Sequence, residues 1–251
     1  MLQVLAALFG ISAIVIVHEA GHLFAARWFG IRVTHFSLGF GPVLAKYRPR
    51  GSATTFQLCA IPFLASVTVA GMNPTEPVAP NDPTLFPNKS LLARTLTIAG
   101  GPIANYLLAM LLVFALAVAG SRQASVGEAA RLSVTVPAAL TIENLAGIAK
   151  LVANRTTEGL VGPVGMGKLI AEQAERGLSD FVGISIMISV ALGLFNLLPL
   201  PFLDGGRLIF LAYEAISRRK PNARFEALVH AAGMVALLAL IAFVTLRDVV
   251  G

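Results

Sequence analysis

A single cysteine, Cys59, in 251 residues leaves no partner for an intrachain disulfide and no thiolate set for a cysteine-based zinc site. It reads as a small buried apolar residue. Charge is also scarce: Asp, Glu, Lys and Arg make up 13% of the chain against 56% apolar residues. A soluble domain carries about 25% charged residues. The composition therefore excludes an ordinary soluble protein and demands lipid over much of the surface, as in a polytopic membrane protein. Aromatic residues interleaved with a basic stripe are missing as well, so the net charge of +6 does not point to nucleic acid. The Lys and Arg side chains sit between apolar runs and read as topology signals. No basic region precedes the first apolar run, which is expected to be retained rather than cleaved. Internal repeats and low-complexity tracts are absent.

What the chain has instead is long apolar runs. Four reach the roughly 20 residues that cross a bilayer core: Leu2 to Ala26, Ala93 to Ala119, Phe181 to Pro199 and Phe225 to Leu246. The first connection carries Arg27, Arg32, Lys46, Arg48, Arg50, Lys89 and Arg94, and the third carries Arg207, Arg218, Arg219, Lys220 and Arg224. The second, Ser121 to Asp180, balances its basic residues with acidic ones. The positive-inside rule then places connections one and three in the cytoplasm and both termini outside.

Within the first run stands His18-Glu19-Ala20-Gly21-His22. On a helix the two histidines lie one above the other, so both imidazoles reach one metal ion, and the adjacent glutamate reaches a water there. Two satisfied core histidines are the ordinary alternative, but they leave an ionisable glutamate in a span unexplained. At about 1.5 Å per residue His18 lies roughly 24 Å along its helix from Leu2, past the bilayer midplane toward the cytoplasm.

A catalytic zinc site takes three protein ligands and keeps a position for water. Asp204 is the candidate third ligand. Pro199 and Pro201 break the helix at membrane depth, and Gly205 and Gly206 let the backbone turn, so Asp204 can be aimed back at the metal. Its alternative role is the N-cap of a helix over Arg207 to Ser217.

Between the first two runs, Ser52 to Gly71 is rich in β-branched and aromatic residues and predicts strands of a small sheet or a re-entrant loop. Pro74, Pro77, Pro80, Pro83 and Pro87 make the following stretch an irregular loop, either a cap over the site entrance or a plain connector. In the second connection, Pro137 to Ala153 shows a helical apolar period, and a short amphipathic helix is predicted over Met166 to Arg176. His35 reads as an interfacial histidine, and His230 as a packing or interhelical contact. Gly100, Gly101, Pro102 and Asn105 read as structural residues that let the second span approach the first and hydrogen-bond to it.

Taken together, His18-Glu19-x-x-His22, Gly101-Pro102-Ile103-Ala104-Asn105 and Asn196-x-x-Pro199-x-Pro201-x-Leu203-Asp204-Gly205 resemble the site-2 protease family of intramembrane zinc metalloproteases, in its bacterial branch. The resemblance runs in order along nearly the whole chain. It implies an α-helical polytopic membrane protein of about four spans with a small membrane-associated β element after the first. It also implies one catalytic zinc ion held by His18, His22 and Asp204, with Glu19 as acid/base and Asn196 as a substrate or oxyanion contact. An alternative reading of Asn196 is a helix C-cap.

The implied activity is endoproteolysis of membrane-spanning or membrane-anchored proteins, such as tethered regulators or signal-peptide remnants, within the cell (inner) membrane and toward its cytoplasmic face. A transmembrane substrate must be unwound before cleavage. Pairing with a strand edge around Phe56, Ile61, Phe63 and Val67 would satisfy its freed amides.

The sequence departs from the family pattern at two places. The second connection is too short for the PDZ domain that many relatives carry, so a single domain over residues 1–251 is expected. Ile61 to Val67 also lacks the glycine pair that relatives place after the proline. Two rival readings are a metal-ion transporter, which needs weaker sites than a closed His, His, Asp set, and a non-catalytic membrane scaffold, against which all the catalytic positions are present.

Overall fold

The computed structural model describes residues 2–120, 124–154 and 161–250. Helix α1 (Leu2–Trp28) is an unbroken apolar run without proline. It ends in a glycine cap: Gly30, at φ +65°, donates to the Arg27 carbonyl and Ile31 donates to Ala26 at 2.8 Å, the paired bonds of a Schellman motif. Arg27 in the last turn complements the helix dipole.

Strands β1 (Val33–Tyr47) and β2 (Thr55–Val69) follow. Each is long and doubles back. Phe36 pairs with both Val67 and Phe56, Leu38 with both Ala65 and Leu58, and Tyr47 also pairs with Phe56. The first part of β1 is thus flanked by both halves of β2, and the last part of β2 lies at an edge. Gly39 and Gly41, at φ +84° and +90°, supply the bend in β1. The sheet matches the expected β element after α1, and the strands replace the re-entrant-loop alternative. Strand β1 was not anticipated.

The proline-rich stretch is irregular apart from a short 3-10 turn, Phe86–Asn88. Helices α2 (Leu91–Ala119), α3 (Val126–Asn154), α4 (Pro163–Arg176), α5 (Leu178–Leu197), α6 (Asp204–Ser217) and α7 (Ala223–Val250) complete the chain. Among the described residues five helices are long and apolar enough to cross a membrane, against the four runs read from the sequence. The fifth is α3, where Glu128, Arg131, Glu143 and Lys150 dilute an apolar period that the sequence showed only from Pro137. Of the second connection, Ser121, Arg122 and Arg155 lie outside the described residues.

The chain forms two compact units. One comprises Met1–Ile14, Asn105–Leu194 and Ala236–Gly251, and the other Val15–Ala104 and Phe195–Val235. In the first, Ala109, Val113, Ile186 and Val190 form a buried cluster onto which Leu132, Val136 and Leu140 of α3 pack. Tyr106 and Thr141 join α2 to α3 through their hydroxyls at 3.0 Å. In the second, Leu23, Ala26, Ile31, Val33, Phe36, Val69, Phe86, Ile98 and Leu211 form the core. This core seats the sheet on α1, α2 and α6.

One buried ion pair ties α2 to α6. Arg94 donates from Nη1 to Glu214 Oε2 at 2.8 Å and from Nη2 to Oε1 at 2.5 Å, with side chains 8% and 15% exposed. The hydrogen bonds from Arg94 hold the Glu214 carboxyl below its ordinary value of 4.5. Removing one partner strands a buried charge, so Glu214→Ala is expected to destabilise the protein by about 3 kcal/mol. Because the folded value is depressed, the pair contributes fully above the ordinary glutamate value and is lost as pH falls through the lowered one. Unfolding midpoints in detergent across the acidic range should fall less steeply with acid in Glu214→Ala than in the parent.

Candidate metal centre

His18 and His22 lie one turn apart on the C-terminal half of α1, 6% and 7% exposed. Their Nε2 atoms are 3.3 Å apart. His22 Nδ1 is 2.9 Å from the Thr97 carbonyl of α2; because a carbonyl only accepts, Nδ1 carries the proton and Nε2 keeps a free lone pair. Such an approach of α2 to α1 needs small residues. A Cβ on Gly21 would overlap the Gly100 carbonyl, and one on Gly101 would overlap His22 Nε2 and stand 2.7 Å from His18 Nε2. These contacts give Gly100 and Gly101 the close-approach role expected of them. Asn105 differs: its amide is buried with neither atom hydrogen-bonded, and its backbone carbonyl accepts from Ser189 Oγ at 2.9 Å.

Asp204 enters from the other end of the sequence. Helix α5 stops at Leu197, and Pro199 to Leu203 form a tight turn in which Leu200 donates to Leu198 at 2.7 Å and Leu203 to Leu200 at 3.3 Å. Phe202 sits at φ +76°. A Cβ on Gly205 would overlap the Leu198 carbonyl and one on Gly206 the Leu200 carbonyl, so glycines are required where the chain turns back on itself. Asp204 then opens α6, with Leu203 rather than Asp204 at the N-cap, three residues before the helix start expected from the sequence. Its Oδ2 lies 3.2 Å from His18 Nε2 and 3.3 Å from His22 Nε2.

The three ligand atoms are thus mutually 3.2–3.3 Å apart. A tetrahedral ion with ligand bonds of about 2.0–2.1 Å separates its ligands by about 3.3 Å. Asp204 Oδ2 is buried with no hydrogen-bond partner. Without a cation, the lone pairs of the imidazoles and the carboxylate would face one another across an apolar interior. The donor set and its spacing fit one zinc ion. Among the described residues this is the one group of three or more His, Cys, Asp or Glu placed to hold a metal.

Glu19 stands beside the cluster. Its Oε2 accepts the Val67 backbone N–H at 2.9 Å, a link between motif and sheet that the sequence did not announce. Val67 is therefore on the outward edge of β2. Phe56 is not at that edge, because it pairs on both sides with Phe36 and Tyr47; its ring is tilted against that of Phe36 and lies 5.9 Å under the Arg27 guanidinium. Ile61 is partly exposed, and the Phe63 side chain lies outside those described. Asn196 occupies the last turn of α5. His35 lies on β1 beside the Thr34 hydroxyl, apart from the three ligand residues, and Cys59 is buried. One turn beyond Asp204, Arg207 donates to the Met72 carbonyl at 3.1 Å. Burial loosens its proton, against the pull of Asp204 and Glu226.

Sequence comparison decides the family. A profile of Peptidase family M50 matches residues 6–240. The chain belongs to Peptidase family M50. It is accordingly a membrane zinc metalloprotease. A protein of Synechocystis, provisionally named a zinc metalloprotease, is 26% identical over 99% of this chain and 94% of its own length. One of Mesorhizobium japonicum with the same provisional name is 25% identical over 97% of each. A Nostoc relative, also so named, is 42% identical over 45% of this chain, which there spans 31% of the relative. The Synechocystis alignment runs to 348 positions against a chain of 251 residues. About a hundred positions of that relative thus have no counterpart here, roughly one domain's worth.

The glycine under the imidazoles supplies a test. Gly101→Ala leaves every donor atom in place but puts a methyl group where His18 and His22 converge, and is expected to lower zinc content at least tenfold on dialysis. Gly127→Ala, where a Cβ meets nothing, should retain zinc. Metal analysis of the purified proteins reads both.

Proposed function

We propose that the chain cleaves membrane-spanning or membrane-anchored protein segments within the bilayer, with zinc held by His18, His22 and Asp204 and with Glu19 as acid/base. The observation that carries this reading is a three-ligand cluster of zinc spacing beside a carboxylate, in an M50 chain with five span-like helices. Bound zinc supplies Lewis acidity, which makes water a stronger acid and a peptide carbonyl a better electrophile. Glu19 Oε2 is anchored by Val67, leaving Oε1 to take the proton as water attacks the carbonyl carbon. As the C–N bond breaks, Glu19 hands that proton to the leaving amine. Asn196 contributes an amide to the substrate backbone or to the developing oxyanion.

The same contact favours strand addition. The outward edge of β2 at Val67 runs past Glu19, so a substrate strand paired along this edge presents its backbone beside the base. Ile61, Phe63 and Val67 lie along that stretch of β2. Helix-weakening residues in a substrate span are then expected to favour cleavage, since the strand forms only after unwinding.

For orientation, α1 carries two residues of the cluster and α5 leads into the turn before the third. Both termini on one side require an even number of crossings, so α3 is assigned no net crossing. The basic first and third connections set the cluster near the cytoplasmic face of the inner membrane, with both termini outside. The missing insertion of the longer relatives fits a single domain without a PDZ module, acting on substrates such as tethered regulators or signal-peptide remnants.

The test is mass spectrometry of membrane peptides from cells carrying the parent or Glu19→Gln. The substitution should abolish the peptides while zinc stays bound, and the cuts should fall in the cytoplasmic half of substrate spans. Undiminished cleavage by Glu19→Gln would sink the catalytic assignment, and cuts in the outer half would reverse the orientation.

A further inference from the structure

The turn that leads into Asp204 is held in an unfavourable shape. Phe202, two residues ahead, adopts φ +76°, a left-handed conformation disfavoured for a residue with a Cβ. Its backbone N–H is satisfied by a side chain from α7: His230 Nδ1 accepts it at 2.9 Å. An imidazole nitrogen that accepts carries no proton, so the proton of neutral His230 is on Nε2. That Nε2 is buried and has no hydrogen-bond partner. A histidine in a span, with one nitrogen left unpaired, is retained at a cost that its Nδ1 contact has to offset.

The rest of α7 near His230 is shaped to the same turn. Gly233, on the same helix face, touches Pro201 so closely that a Cβ there would overlap the proline ring and stand 2.9 Å from its carbonyl carbon and oxygen. The ring of Phe210, on α6, packs at 5.5 Å from the His230 ring and fixes its plane. Glycine and histidine thus hold two successive residues of the turn, Pro201 by contact and Phe202 by hydrogen bond. Gly205 and Gly206 close it from the α6 side.

We propose that His230 is a positioning residue for the metal centre. As a neutral imidazole it holds Phe202 in the left-handed turn that aims Asp204 at His18 and His22. It touches neither metal nor substrate. The inference rests on the reading of Asp204 as a zinc ligand, and the two can fail separately.

The experiment follows zinc loss to a chelator from the purified full-length protein in detergent. Asn at position 230 keeps an acceptor near the Nδ1 position, whereas Leu fills the space without one. His230→Leu is expected to speed zinc loss about tenfold or more, the usual effect of losing a partner that orients a ligand. His230→Asn should stay close to the parent. Equal rates for Leu and parent, or equally fast loss from Leu and Asn in folded protein, would overturn the proposal. Asp204→Ala is the control: if it too keeps its zinc, the ligand reading itself fails. Should His230→Leu not fold, nitrogen NMR of the histidine-labelled parent decides, with His230→Asn identifying the signal among the four histidines. The proton on Nε2 supports the hydrogen bond, and the proton on Nδ1 excludes it.

Discussion

Three lone-pair donors converging on one point in an apolar protein is the constraint from which the rest follows. His18, His22 and Asp204 place two nitrogens and an oxygen within 3.3 Å of one another, an arrangement that is repulsive without a cation and stable with one. Satisfying it requires segments from the two ends of the chain to meet at one depth. Three local features of this unit serve that meeting: the glycines where α1 and α2 touch, the prolines that end α5, and the left-handed Phe202.

Close approach here does the work that polar side chains do in soluble sites. Among membrane helices, backbones approach where Cβ atoms are missing, and Gly21, Gly100 and Gly101 meet in that way. The gain is a fixed imidazole: the α2 backbone comes close enough for the Thr97 carbonyl to hold His22 Nδ1. The sheet plays the matching part on the other side, where Val67 holds Glu19. The proposed metal ligand His22 and the proposed base Glu19 are therefore both oriented by backbone groups of neighbouring elements.

Much of this was legible in the sequence. The two histidines follow directly from helical spacing, and Asp204 from the prolines and glycines that turn the chain back at the end of a span. Other features depend on tertiary partners that no local pattern names. Strand β1 carries two glycines, Gly39 and Gly41, that form the bend by which it pairs with both halves of β2. Phe56, expected at a substrate-pairing strand edge, lies inside the sheet. Helix α3 hid behind its charged residues, which spread its apolar period too thinly to read as a span. His230 carried no sequence signal beyond being a histidine in a span, because its partner is the backbone of a turn far away in the chain.

The central claim is that one zinc ion is held by two imidazoles and one carboxylate inside the membrane domain. X-ray absorption at the zinc edge of the purified protein tests it most directly. The account requires one zinc per chain in a four-coordinate shell of nitrogen and oxygen at about 2.0–2.1 Å, with the outer-shell scattering of two imidazoles. A six-coordinate oxygen shell, a sulfur neighbour or a single imidazole would contradict it.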